Sequence, residues 1–279
     1  MYSNDCEKDV SAMAVKLLVT DLDGTLLRSG SPVSAGNCAA VQAAVRAGVT
    51  VTLATGRMFR AALPVAEALG VDVPIITYNG ALIKRVSGEV LYRSCLPEAT
   101  VAEVVRYCQA QGWYVQLYSS DELYYVENCA EARGYEAEQQ IKGHAVGWDG
   151  LLAHTAGVCK LLSITRGRTE TDARVAALNA AFGETLAAVR SNDRYAELLM
   201  PGVTKATALQ QLAQLLGVEL AEVMAIGDSD NDLPMLQAAG QAVAMGNAVP
   251  AVKAACAYET GRCEDDGVAQ AIYRWVLQG

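Results

Sequence analysis

Short apolar runs alternate with longer helical patterns between Ala14 and Gly80. Residues 15–20 are almost continuously apolar, which is typical of a strand buried on both faces of a parallel sheet. Gly48 and Gly70 each follow a helical pattern, at the position where glycine commonly ends a helix. After the first strand, the pattern predicts a helix over 35–47, a strand over 49–54, a helix over 59–69 and a strand over 74–78.

The same alternation returns near the C-terminus. Gly217, Gly227 and Gly240 separate the periodic segments there. The pattern predicts a helix over 205–216, a strand over 223–226, a helix over 232–239 and a strand over 242–245. Repeated βα units of this kind build a doubly wound parallel sheet, whose ligands bind at the carboxyl ends of the strands.

The middle of the chain has a different character. Aromatic and polar strands are predicted over 113–118 and 123–126, and helices over 100–111 and 169–181. The predicted fold is therefore α/β, a doubly wound parallel (Rossmann-like) core with an inserted α+β domain. Residues 13–81 and 194–279 form the predicted core, residues 82–193 the insertion, and residues 1–12 a polar extension.

Composition excludes several classes of protein. The chain has 279 residues, 52% of them apolar and 19% charged, and no apolar run approaches the roughly 18 residues of a membrane span. The N-terminus lacks the basic and apolar segments of a secretory signal, so a cytoplasmic location is expected. The net charge is −9 and the 22 basic residues are scattered, which argues against a nucleic-acid surface. Oligomeric state stays open.

The eight cysteines contain no Cys-x-x-Cys pair and no histidine at zinc spacing. Reduced and mostly buried thiols are therefore expected.

Two carboxylates, Asp21 and Asp23, directly follow the first predicted strand. They stand in the run Asp21-Leu22-Asp23-Gly24-Thr25. Like charges so close together need a cation or a shared proton, which indicates a bound metal at the sheet edge. An ordinary turn is the alternative, because Asp-Gly is a common turn pair.

Small polar residues follow the second predicted strand in the same way. Thr55 offers a hydroxyl and Gly56 an unencumbered amide to a phosphate group, although Thr-Gly is often only a turn. Lys205 opens a predicted helix, where a cation opposes the helix dipole. A solvated surface lysine is the alternative for that residue.

More carboxylates follow the strand that ends at Ile226. They belong to the run Gly227-Asp228-Ser229-Asp230-Asn231-Asp232. A calcium-binding EF-hand loop is excluded, because Leu233 and Ala239 occupy the positions that require glycine and glutamate.

The order of these motifs resembles that of the haloacid dehalogenase superfamily, and the resemblance spans most of the chain. Three further runs resemble its Cof-type (subfamily IIB) sugar-phosphatase branch: Tyr78-Asn79-Gly80-Ala81, Met245-Gly246-Asn247-Ala248 and Glu264-Asp265-Asp266-Gly267-Val268. Ala206 departs from this pattern, since the branch often has glycine after the lysine. The resemblance implies Mg²⁺-dependent hydrolysis of a small phosphorylated metabolite, such as a sugar phosphate, through a phospho-aspartate.

The resemblance also implies a role for each motif residue. Asp21 is the expected nucleophile, and Asp23 the acid that protonates the leaving alcohol and then the base that activates water. Mg²⁺ is expected at the carboxylates of Asp21 and Asp228 and the backbone carbonyl of Asp23. The remaining expected roles are phosphate binding by Leu22, Thr55, Gly56, Lys205 and Asn231, and support by Asp232, which orients Lys205, and by Thr25.

An insertion of the second cap type is also implied, entering near Ala81. About 150 residues separate Arg57 from Lys205, whereas only about 30 separate Thr25 from Thr55. Such caps close over the site and contact the leaving group. Candidate lining residues are Trp113, Tyr118, Tyr124, Tyr125 and Arg133, although aromatic residues on a sheet more often belong to a core.

Two other functions stay open. A phosphomutase of the same superfamily shares these motifs, but it needs a second set of cationic phosphate contacts in the cap. A non-catalytic sugar-phosphate sensor keeps the site only for binding. Loss of Asp23 or Lys205 would favour a sensor, and both residues are present.

Overall fold

A computed structural model describes residues 14–28 and 31–278; the predicted extension, residues 1–12, lies outside them. The first section of chain contains β1 (Leu17–Thr20), α1 (Ala35–Arg46), β2 (Thr50–Leu53), α2 (Phe59–Leu69), β3 (Pro74–Thr77), β4 (Leu82–Arg85) and β5 (Val90–Arg93). The middle section contains α3 (Glu98–Gln111), β6 (Gln116–Ser119), β7 (Glu122–Tyr125), α4 (Ala130–Gln139), β8 (His144–Ala145), α5 (Gly147–Ala153), β9 (Val158–Ile164), α6 (Arg168–Phe182), β10 (Ala187–Asn192) and β11 (Tyr195–Leu199). The last section contains α7 (Lys205–Leu216), β12 (Val223–Gly227), α8 (Leu233–Ala238), β13 (Gln241–Ala244), α9 (Pro250–Ala255), β14 (Tyr258–Glu259) and α10 (Gly267–Trp275).

A parallel sheet forms the centre of the molecule, in the strand order β14-β13-β12-β1-β2. Leu17 of β1 lies opposite Val223 on one side and Thr50 on the other. All residues of β1 are buried, since neighbours cover both faces of the sheet. Helices α1 and α10 pack together, as do α7 and α8. This sheet confirms the predicted α/β core and adds β14, which the apolar pattern did not indicate.

Strand β3 differs from the predicted arrangement. It pairs antiparallel with β4 in a three-stranded sheet, β3-β4-β5, and reaches β2 through a single bridge between Ala54 and Ile76. The cause is the sharp reversal at Asn79 and Gly80, which have φ of 54° and 107°. A Cβ on Gly80 would collide with the backbone carbonyl of Thr204, so this reversal requires glycine.

A six-stranded sheet, β10-β11-β9-β6-β7-β8, carries the inserted α+β unit, here called the cap. Its strand β11 pairs antiparallel with both β9 and β10. The cap sheet therefore extends to Leu199, whereas the sequence analysis ended the insertion at Asp193. The chain leaves this sheet in the short segment before α7.

Side chains on the cap sheet alternate between two hydrophobic clusters. On β9, Leu161 packs with residues of α3, α5 and α6, whereas Leu162 packs with the cluster that continues into the core. This period of two explains why β9 is buried along its whole length. The second face of the cap sheet is thus joined to the core rather than exposed.

Across the described residues, no helix combines the length and the apolar character that a bilayer span demands. The cysteines of the same residues are free thiols, and the Sγ atoms of Cys95 and Cys159 lie 3.6 Å apart.

Candidate active site

Asp21 lies at the carboxyl end of β1, and its carboxylate accepts a hydrogen bond from Nζ of Lys205 at 2.5 Å. The same ammonium donates to Asp232 at 2.6 Å. All three residues are buried, with Lys205 1% and Asp21 4% exposed. Removing charges from water is costly, so such a group persists only when its members are paired. Lys205 is therefore fixed beside Asp21 rather than solvated.

The acidic groups around Lys205 outnumber the cation. Burial raises the pKa of Asp21 well above its ordinary value; Lys205 opposes this shift, while Asp232 and Asp228 add to it. Burial and then the charge of Asp232 raise the pKa of Asp228 to about 7. For Lys205, burial lowers the pKa, but Asp21 and Asp232 outweigh that effect and raise it. The site thus carries negative charge that Lys205 alone does not neutralise.

Asp21, Asp228 and Asp232 each place a carboxylate oxygen within 4.8 Å of the others. Asp232 is already occupied by Lys205 and by the backbone N–H groups of Asp228 and Ser229, at 3.0 and 3.1 Å. Among the described residues, Asp228 accepts one side-chain hydrogen bond, from Thr25 at 2.8 Å. The oxygens of Asp21 and Asp228 therefore fit a hard divalent cation such as Mg²⁺. Asp232 fits the role of partner to Lys205.

Gly24 allows the first motif to approach Asp228. Its φ is +82°, and a Cβ there would lie 2.5 Å from Oδ2 of Asp228. Only glycine suits this position. The turn is closed by Leu22, which is buried and whose carbonyl accepts the N–H groups of Thr25 and Leu27.

Asp23 differs from Asp21 in its exposure, since 47% of its side chain is accessible. Arg57 holds it in a bidentate pair, with Nε–Oδ2 and Nη2–Oδ1 distances of 2.8 and 2.5 Å. Planar pairing of this kind fixes the carboxylate in orientation as well as position. Arg57 is not among the site residues predicted from the sequence, although its place directly after Thr55 and Gly56 is a usable signal.

Thr55, Gly56 and Asn231 meet at the edge of the same sheet. The hydroxyl of Thr55 accepts the N–H of Arg57 at 3.1 Å. Nδ2 of Asn231 donates to Oδ1 of Asn79 at 3.0 Å, and a Cβ on Gly56 would lie 3.0 Å from that same oxygen. Asn79 thus positions Asn231 and packs closely against Gly56.

A cavity of about 180 Å³ lies between the core and the cap. Its wall includes six residues from the predicted site: Asp21, Asp23, Thr55, Gly56, Asp228 and Asn231. Lys205 contacts this wall through Asp21, and Thr25 contacts it through Asp228. Asp232 contacts it through the backbone N–H groups of Asp228 and Ser229. The predicted residues therefore cluster at one place in the fold.

The cap wall contains none of the aromatic candidates. Tyr118 and Tyr125 are buried, and Tyr124 stacks on His154 with ring centres 4.0 Å apart. Trp113 lies under the guanidinium of Arg174, and Arg133 donates to the backbone of Asn128. The cap residues that do line the cavity are Tyr135, Glu138, Gln139, Lys160, Ser191, Asn192, Tyr195 and Glu197. No local motif marks these residues in the sequence.

A buried ion pair joins the cap to the core beside the cavity. Nζ of Lys160 donates to Glu197 at 3.2 Å and to the backbone carbonyl of Gly56 at 2.6 Å. Glu197 in turn accepts a hydrogen bond from Nδ2 of Asn79. This ion pair of the cap therefore contacts Gly56 directly and is linked to Asn231 through Asn79.

Asn247 connects the motifs at Met245 and Glu264 to the active site. Its Nδ2 donates to the carbonyl of Gly24, and its Oδ1 accepts the N–H of Cys263, both at 2.8 Å. These bonds link the segments around Met245 and Glu264 to the turn that carries Asp23. They support the site without lining the cavity.

Comparison with known proteins gives concordant matches. A family model described as haloacid dehalogenase-like hydrolase matches residues 18–272. The 5-amino-6-(5-phospho-D-ribitylamino)uracil phosphatase YwtE of Bacillus subtilis is 28% identical, over 92% of this chain and 97% of its own. The HMP-PP phosphatase of Yersinia pseudotuberculosis is 28% identical, over 94% of this chain and 95% of its own. A crystal structure of a haloacid dehalogenase-like hydrolase from Bacteroides thetaiotaomicron matches with a TM-score of 0.83 and 31% identity, over 93% of this chain and 99% of that one.

Proposed function

The chain belongs to the haloacid dehalogenase-like hydrolases and is a phosphoric monoester hydrolase, and we propose that it acts with Mg²⁺ through a phospho-aspartate at Asp21. The observation that carries this proposal is the buried contact of Asp21 with Lys205 at 2.5 Å, on the wall of a cavity shared with Asp23 and Asp228. A carboxylate held by one cation can attack phosphorus while the same cation neutralises the phosphoryl oxygens.

Asp21 forms the bond to phosphorus as the bond to the leaving alcohol breaks. Asp23 in its protonated form donates its proton to the alcohol oxygen. The resulting Asp23 carboxylate then takes a proton from the water that attacks phosphorus, which releases phosphate and restores Asp21. Arg57 orients the Asp23 carboxylate for the second transfer, through the bidentate pair. Proton transfer requires this control because the donor must lie within hydrogen-bond reach of the reacting oxygen.

The phosphoryl oxygens would be bound by Lys205, Thr55, Asn231 and the backbone amides of Leu22 and Gly56. Mg²⁺ would be held by the carboxylates of Asp21 and Asp228 and the backbone carbonyl of Asp23, and it would supply charge neutralisation to the phosphoryl group. The raised pKa values of Asp21 and Asp228, caused first by burial, support this assignment, because a bound cation would offset the cost of their buried negative charge.

The cap wall favours water over a second sugar phosphate as the acceptor. A mutase holds an intermediate with two phosphate groups, which requires cations on the cap side as well. Among the described cap residues that line the cavity, Lys160 is the one cation, and Glu197 pairs with it. Hydrolysis needs no such second site.

The test is to supply hexose 1-phosphates with Mg²⁺ and follow the products by phosphorus NMR. Stoichiometric inorganic phosphate is expected. Accumulation of the 6-phosphate isomer with little free phosphate would show a mutase instead. Binding of the sugar phosphate without any turnover, also of p-nitrophenyl phosphate, would show a sensor.

The relatives do not identify the substrate. Two of them share 28% identity with the chain and carry names that indicate different substrates. The substrate we propose is a small phosphorylated metabolite of the sugar-phosphate type. We place the reaction in the cytoplasm, since free thiols suit a reducing compartment.

A further inference from the structure

Gln139 lines the cavity and contains a buried, unpaired hydrogen-bond acceptor. It lies at the C-terminal end of α4 and is 5% exposed, and its Oε1 has no partner among the described residues. Its Nε2 donates to the carboxylate of Glu138 at 3.2 Å, which fixes the amide because the opposite orientation would place two oxygens together. A buried acceptor without a donor destabilises the free protein. A ligand that brings a donor removes this cost.

Glu138 makes the same corner of the cavity negative. One of its oxygens accepts the hydroxyl of Tyr195 at 2.6 Å. No lysine, arginine or histidine of the described residues lies within 4.0 Å of it as an ion-pair partner. The cations of the cavity wall, Arg57 and Lys160, are paired with Asp23 and Glu197. Inside this cavity, a second anionic group on the substrate would therefore meet Glu138 without an unpaired cation on the described wall.

We propose that Glu138 and Gln139 form a leaving-group subsite that selects phosphate monoesters whose alcohol carries hydrogen-bond donors and no second anionic group. Hydroxyl groups and protonated amines both satisfy this chemistry. Carboxylates and further phosphates do not. This inference rests on the phosphatase function proposed above and narrows its substrate class.

Two matched substrates test the charge requirement. Sorbitol 6-phosphate and 6-phosphogluconate have the same open six-carbon chain, but one ends in a hydroxymethyl group and the other in a carboxylate. We expect kcat/KM to favour sorbitol 6-phosphate by at least about thirtyfold, since the carboxylate lacks a cation at Glu138. The 1-amino analogue of sorbitol 6-phosphate distinguishes the two donors: a higher kcat/KM than that of the parent polyol assigns the subsite to an amine, and an equal or lower one to a hydroxyl.

The variant Glu138→Gln removes the negative charge and keeps the shape. It should reduce the preference between the two matched substrates by at least about tenfold. Glu103→Gln, the same change on the exposed face of α3, is the control and should keep the preference of the parent enzyme. A parent preference close to one, or a preference unchanged by Glu138→Gln, would overturn the charge requirement.

Gln139→Met tests the unpaired acceptor. Because Oε1 has no partner, its removal should leave Tm equal or higher, while KM for sorbitol 6-phosphate rises about tenfold and kcat changes less. An unchanged KM, or a fall in Tm with no change in KM, would show that the acceptor does not contact the substrate. Hydrolysis of p-nitrophenyl phosphate with Mg²⁺ by the parent enzyme separates the proposed phosphatase function from the proposed subsite. If that hydrolysis proceeds while kcat/KM is equal for the two matched substrates, the subsite proposal is wrong and the phosphatase proposal is not.

Discussion

The core wall and the cap wall of the cavity differ in how completely their polar groups are paired. On the core wall, Asp21 is bonded to Lys205 and Asp23 to Arg57. On the cap wall, Oε1 of Gln139 lacks a donor and Glu138 lacks a cation within the described residues. Phosphate is common to every substrate, so its contacts can be fixed in advance. Groups that choose the alcohol must keep hydrogen-bonding capacity for the ligand.

Substitution of the nucleophile should have the largest effect and should not depend on the substrate. Asp21→Asn removes the attacking carboxylate, so kcat should fall by at least about 10³-fold for sorbitol 6-phosphate and p-nitrophenyl phosphate alike. Steady-state phosphate release measures it. Asp72→Asn, an exposed aspartate of the core, is the matched control. Activity above about one hundredth of the parent value would remove Asp21 from the nucleophile role.

Removal of divalent metal should stop catalysis through the metal site on the core wall. Excess EDTA should stop hydrolysis of all substrates, because Lys205 alone does not offset the charges of Asp21, Asp228 and the phosphoryl group, and added Mg²⁺ should restore it. Phosphate release before and after Mg²⁺ addition is the measurement. Full activity in metal-free buffer would contradict the proposed metal site.

Variants of the ion pair between Lys160 and Glu197 test whether the cap positions Gly56 and Asn79 of the core. Lys160→Met alone leaves Glu197 buried and unpaired, which should cost about 3–5 kcal/mol of unfolding free energy. The double variant Lys160→Met, Glu197→Gln should recover most of that stability. Its kcat/KM should nevertheless stay about tenfold or more below the parent value, since Gly56 loses its contact with Lys160 and Asn79 keeps only a neutral acceptor on the cap.

The preference for sorbitol 6-phosphate over 6-phosphogluconate should be retained in that double variant, because Glu138 and Gln139 are unchanged. Urea unfolding and steady-state kinetics provide both readouts. Recovery of stability and kcat/KM together would mean that the ion pair is only structural.

Asn247 should show the smallest effect. Asn247→Ala removes one hydrogen bond to the turn that carries Asp23 and one to the backbone N–H of Cys263, so unfolding free energy should fall by about 1–3 kcal/mol and kcat by less than about tenfold. Asn128→Ala, on the exposed surface of the cap, is the control. Urea unfolding of the two variants side by side measures the difference, and equal stability would contradict the role of Asn247.

The core wall could be predicted because its residues follow strands. Asp21, Thr55 and Asp228 each stand just beyond an apolar run, and parallel strands bring such positions to one edge. The contact of Lys205 with Asp21 needed the order of the motifs as well, since a lone lysine carries no such signal. Local pattern and family resemblance together were sufficient there.

The cap wall could not be predicted in the same way. Glu138 and Gln139 lie on α4, a helix for which the sequence analysis gave no prediction, and Tyr195 and Glu197 lie on β11, which was assigned to the core. In both cases the partner of the segment is decided by long-range packing, which local periodicity does not contain. Strand β3 keeps a parallel bridge to β2, but its antiparallel pairing with β4, made by the reversal at Asn79 and Gly80, was not predicted.

The formation of a phospho-aspartate at Asp21 is tested most directly with Asp23→Asn and p-nitrophenyl phosphate. Nitrophenolate leaves without a proton donor, so this variant can still form the covalent intermediate, but it lacks the base that activates water. Rapid quenching and peptide mass mapping should find about one phosphoryl group per enzyme, on the peptide that contains Asp21, together with a burst of nitrophenolate. A phosphoryl group on another residue, or nitrophenolate release with no burst and no modified peptide, would contradict the phospho-aspartate route.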